Sequence, residues 1–146
     1  MPTPDHRNLP RFKKPPVVET VLGVEFAALE KWSIPHFGLF WQLISQEMPT
    51  FRVLPPLQSA SEAKDAITAG LPSIRFLTSP QVRCWFVSAD DRTLIQIQND
   101  RFVFNWRKTD RNDKYPHYDD TIRHEFERQW SRFRTFVENN DLGRIE

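Results

Sequence analysis

A chain of 146 residues is the size of one ordinary domain, large enough to bury most of its apolar surface without staples. Apolar residues at 39% and charged residues at 27% exclude a disordered chain, and no stretch is long or apolar enough to span a bilayer. Lys+Arg 20 against Asp+Glu 19 leaves a net charge of +1, so no bulk field draws nucleic acid or acidic lipid.

Residues 1–16 carry Pro2, Pro4, Pro10, Pro15 and Pro16 among charges. Proline fixes φ and removes a donor, so this stretch is expected to be an extended basic arm, with a single domain over 17–146. The arm reads Pro, His, Arg and Lys rather than an apolar run, so no secretory leader is expected in it. With one cysteine, Cys84, an internal disulfide is impossible, and the cytoplasm is the expected compartment. Residues 17–26 alternate as a strand, with Val18, Thr20, Leu22, Val24 and Phe26 on one face and Glu19, Gly23 and Glu25 on the other. Ser33 then caps a helix predicted over 34–48, in which Phe37, Phe40, Trp41, Ile44 and Met48 form one apolar stripe. Residues 50–72 are the least legible stretch: Pro55 and Pro56 forbid regular structure there, and 61–69 read as a short helix ended by Gly70.

From residue 73 the period becomes two. Strands are expected over 73–79, 82–88, 93–98 and 101–108, separated by Pro80 and Gln81, by residues 89–92, and by Asn99 and Asp100. Connections this short demand antiparallel neighbours. Asp119 or Asp120 caps a final helix to about Asn139, with Ile122, Phe126, Trp130, Phe133 and Val137 inward and Gly143 beyond its end. The order β-α-(α)-β-β-β-β-α predicts an α+β domain, with a four- to five-stranded antiparallel sheet and two main helices packed on one face. Twelve phenylalanines and five tryptophans supply the core.

Two motifs are more specific than a generic strand pair. One is the run Leu94-Ile95-Gln96-Ile97-Gln98-Asn99-Asp100-Arg101-Phe102-Val103-Phe104-Asn105-Trp106-Arg107; the other is Pro15-Pro16-Val17-Val18-Glu19. With Trp85-Phe86 and Tyr115-Pro116-His117-Tyr118, they make residues 12 to 137 resemble a sporadically distributed family of uncharacterised prokaryotic proteins. Members of that family are usually longer, with a second β-rich half. The resemblance implies an organisation and, by the family's distribution, a defence or toxin–antitoxin setting; it implies no reaction. It also implies that an isolated first half exposes a surface, and a two-fold homodimer burying aromatic or strand-edge area is the expected remedy.

The polar side of the last hairpin is the candidate site. With Phe102, Phe104 and Trp106 inward, Arg101, Asn105 and Arg107 share the opposite face, joined by Gln96 and Gln98 from the preceding strand. Two guanidinium forks, an amide and two glutamines on a rigid sheet suit a phosphate, a carboxylate or base edges. The ordinary alternative is a wet sheet face whose arginines pair with acids such as Glu19 and Glu25.

Other constellations are weaker. His117, Asp119, Asp120 and His124 crowd together without the spacing of any known metal site, so no metal or cofactor is expected. Cys84 lies inside a strand, where a buried thiol is a small hydrophobe rather than a nucleophile. Four glycines form no phosphate loop, and Glu19 and Glu25 stand too far apart to share a proton. The expected function is a non-enzymatic binding or interaction module with a protein partner or a second copy. The runner-up is a nucleic-acid-binding domain using the arginine face, followed by part of an enzyme completed by a second half. If Glu19 and Glu25 neutralise the arginines, the nucleic-acid reading fails.

Overall fold

The structure, a computed structural model, describes residues 12–57 and 82–146. The strand β1 (Glu19–Glu25) is followed by helix α1 (Ile34–Ile44), then β2 (Thr50–Leu54), β3 (Arg83–Val87), β4 (Thr93–Gln98) and β5 (Arg101–Arg107). One π-helical turn, Tyr118–Ile122, leads into helix α2 (Arg123–Asn139). The five strands form one antiparallel sheet in the order β1-β5-β4-β3-β2. The expected helix over 61–69, the expected strand over 73–79 and residues 1–11 of the arm lie outside the described residues. No helix among the described residues is long and apolar enough to cross a membrane.

Alternation places Phe86, Ile95, Ile97, Phe102 and Phe104 on one face, all essentially inaccessible, and both helices pack there. Phe40 of α1 meets Phe86 at 6.0 Å between ring centroids, and Phe133 of α2 meets Phe40 at 5.6 Å and Phe102 at 5.3 Å. Rings of this size bury large areas from few positions, which lets two helices and five short strands close a core. The two-residue turn Asn99–Asp100 is pinned from outside, because Phe26 and Leu29 donate backbone N–H groups to Asp100 and Asn99 carbonyls. That clamp ties β1 to its partner β5, as the shared aliphatic faces of the two strands require.

Three boundaries differ from expectation. Helix α1 stops at Ile44, four residues early: the N–H groups of Glu47 and Met48 both donate to the Ile44 carbonyl, closing a turn. Met48 stays buried, and its carbonyl accepts the Trp41 indole N–H at 2.8 Å. The apolar period thus runs on through a turn closed by its own backbone and by a neighbouring ring. Second, residues 50–54, in the least legible stretch of the sequence, form β2 beside β3. Third, the last helix is entered through the π-helical turn, with His117 at φ 61 where Asp119 or Asp120 was expected as a cap. Its far end is a Schellman turn: Asp141 takes the left-handed position at φ 51, and Leu142 N–H donates to the Val137 carbonyl. Ser33 caps α1 as expected, its own N–H donating to His36 Nδ1 at 2.9 Å in the place a Glu or Gln usually fills.

Candidate ligand-binding face

The sheet face away from the helices carries all five residues singled out from the sequence, and it is not the wet face expected of them. Gln96, Gln98, Arg101 and Asn105 are each only 4–8% exposed; Arg107 is half-buried. Buried amides and guanidinium groups need partners, so the question is where each donor goes.

A relay crosses four strands. The Trp85 indole on β3 donates to Gln96 Oε1 on β4 at 2.8 Å. Gln96 Nε2 donates to Asn105 Oδ1 on β5 at 2.8 Å, and Asn105 Nδ2 donates to the Glu19 carboxylate on β1 at 2.8 Å. An indole only donates and a carboxylate only accepts, so the two ends decide the orientation of both amides. Such a chain specifies register across β3, β4, β5 and β1, because a slip of one residue would turn its members to the other face.

Gln98 is used differently. Its Nε2 donates to the Leu57 carbonyl at 3.0 Å, and its Oε1 accepts the Leu57 N–H at 2.8 Å. The amide therefore imitates a strand neighbour and brings the chain after β2 onto this face. Arg107 is held at the opposite end of β5 by the β3–β4 turn, donating through Nε to the Asp91 carbonyl at 2.7 Å and pairing with the Asp91 carboxylate. Asp91 sits at φ 63, a conformation that aims both of its oxygens at the arginine. Arg101 has weaker support: Glu25 and Asp100 approach at 3.4 Å each, and its Nη2 is buried without a hydrogen-bond partner.

Sequence reasoning missed Arg83 and Trp85. Both lie on β3 at the parity of this face, a signal legible in the alternation of residues 82–88. The Arg83 guanidinium lies over the Trp85 ring at 5.6 Å and donates to Gln96 Oε1 at 3.3 Å, while its Nε is buried and unpartnered. Burial, with the Arg101 charge nearby, pulls its pKa below the ordinary arginine range.

The remaining constellations are dispersed. His117 packs on the Tyr115 ring, Asp119 faces Arg123, and His124 faces Glu127 at 3.9 Å. Among the described residues no three of His, Cys, Asp or Glu group to hold a metal ion. Cys84 is buried on the helix side, and desolvation pushes its thiol up to about 11. At the sheet edge, Phe51 and Val53 of β2 are 45% and 57% exposed on the helix side, beside Trp41. The chain matches no protein-family model, no curated protein and no solved structure.

Proposed function

We propose that this domain is a non-catalytic binding module, and that it takes an extended segment of a partner protein along β2. The observation that carries this reading is that β2, the edge strand among the described residues, exposes Phe51 and Val53 side by side with Arg52 between them on the other face. An edge strand offers backbone donors and acceptors to an added strand, and alternate side chains select it. The added strand would place apolar residues beside Phe51 and Val53 and an acid near Arg52. A setting in prokaryotic defence or toxin–antitoxin pairs would supply such a partner.

The two-fold homodimer expected from the sequence is disfavoured at this edge. Antiparallel self-pairing over all of β2 sets Arg52 opposite its own counterpart, and like charges directly opposite destabilise a sheet. Shifting by two residues removes that clash but runs into Pro49 or Pro55, which cannot donate to a ladder. A nucleic acid is less favoured still. Arg107 is tied to Asp91 and Arg101 lies against Glu25, so among the described residues only Arg83 and Arg52 on this face have no acid beside them, too few to track a run of phosphates.

The test is comparative capture from the native host with wild type and a Phe51→Lys/Val53→Lys double variant. A partner retained by wild type alone, with amides 50–54 newly protected from hydrogen exchange in the complex, supports the reading. Equal retention by both, or protection elsewhere, sinks it.

A further inference from the structure

The polar face holds a second feature that edge-strand binding does not use. In register, Arg101 lies directly opposite Gln98, and Cys84 opposite Ile97, which sets Arg83 opposite Gln98 from the other side. Arg83, Gln98 and Arg101 thus form one row across β3, β4 and β5, with both arginines flanking the glutamine. The Gln98 amide bonds Leu57 through both its nitrogen and its oxygen, and Gln96 and Asn105 do likewise within the relay. What remains on this face, among the described residues, are two buried donors without acceptors: Arg83 Nε and Arg101 Nη2.

The charges are equally unbalanced. Arg101 is 7% exposed, yet its two acids stand at 3.4 Å and one of them, Glu25, is mostly in solvent. Arg83 meets an indole and an amide, and no carboxylate among the described residues; the nearest cation across the row is Arg101, on the far side of Gln98. Two guanidinium groups on one sheet row, one enclosed and one at the rim, repel one another across Gln98. An anion between them reverses the sign of that interaction, and planar forks match the oxygens of phosphate or carboxylate.

We propose that Arg83 and Arg101 flank a binding site for a single oxyanion, a phosphate or carboxylate group carried by a small ligand, with Gln98 and the Leu57 main chain as its floor. The site takes one anionic group and not a polymer, because the relay closes the sheet face on one side and Arg107 is already paired. Arg83, partly exposed at the rim, is the entry side; Arg101 is the enclosed side.

The test is titration of the full chain with sodium phosphate, and separately with sodium acetate, at ionic strength held constant with sodium chloride. Melting temperature and heat of binding are followed. A saturable millimolar response is expected, weakened roughly tenfold or more by Arg83→Gln and by Arg101→Gln. Arg101→Lys, which keeps the charge and loses the fork, should weaken it too, and Arg111→Gln on the exposed loop should leave it unchanged. A response to phosphate alone assigns a phosphoryl ligand, and one to acetate as well assigns a carboxylate-compatible site. Should Arg101→Gln fail to fold, Arg83→Gln at the rim decides. No saturable response to either anion, or one that survives in the arginine variants, overturns the proposal.

Discussion

Removing the Glu47 carboxylate should cost stability at neutral pH and progressively less in acid. Glu47 follows the end of α1 and reaches across to α2, where it accepts from Arg128, from Arg132 at 3.0 Å and from Gln129 Nε2 at 3.0 Å. The Arg128 hydrogen bond, aided by Arg132 against some desolvation, lowers its pKa from the ordinary 4.5 to about 2. A carboxyl whose pKa falls on folding stabilises the fold fully above its unfolded pKa and loses that contribution as pH drops through the folded one. At face value a drop from 4.5 to about 2 corresponds to about 3 kcal/mol. The Glu47 side chain is 38% exposed, so solvent screening reduces this to about 1 kcal/mol. Glu47→Gln should therefore shift the urea midpoint down by roughly 0.5 M at pH 7. The difference should shrink as pH falls through the unfolded value near 4.5, with almost none left well below pH 2. Paired urea melts of wild type and variant across pH 2–7 cancel every other titrating group. A deficit that is independent of pH, or none at pH 7, would refute the assignment of this clasp to charge.

Phe133→Ala should lose about 3–5 kcal/mol in the same assay, because a fully buried ring in contact with Phe26, Trp32, Phe40, Phe102 and Trp130 leaves a cavity that they cannot all fill. Trp130→Ala should lose less, about 2–3 kcal/mol, since that ring is only partly buried at the edge of the same cluster; a larger loss than for Phe133→Ala would mean that the helix faces are misassigned. Asn105→Leu should cost about 1–3 kcal/mol by stranding Gln96 and Glu19 of the relay, and Glu19→Gln combined with it should add little further; strict additivity would show that the two are not linked. With its thiol near 11, Cys84 is about one part in a thousand thiolate at pH 8, so iodoacetamide should label it only after urea unfolding; labelling of the native chain at the unfolded rate would count against that burial.

The elements with a clean period were determined by sequence alone. Val18 to Phe26, the paired runs through Leu94 and Phe104, and the stripe from Ile122 to Val137 each put large apolar groups at two- or three-to-four-residue spacing. Turns of two to four residues left only antiparallel pairing open. Parity likewise determined that Gln96, Gln98, Arg101, Asn105 and Arg107 would share one side. Tertiary structure decided the rest, for identifiable reasons. Residues 50–54 pair with the edge of β3; Phe51 and Val53 alternating about Arg52 between Pro49 and Pro55 are a strand signal, too short to stand out beside the prolines. Beyond the end of α1 the chain turns on the Ile44 carbonyl, with the Trp41 indole holding the Met48 carbonyl. On the polar face, tertiary structure decided the partners: Leu57 folds back onto the Gln98 amide, Trp85 and Glu19 end the relay, and one donor each of Arg83 and Arg101 is left unpartnered. Alternation states which face a side chain joins; what covers that face is a long-range contact, and its entropy cost and partner choice are written in no single stretch of the chain.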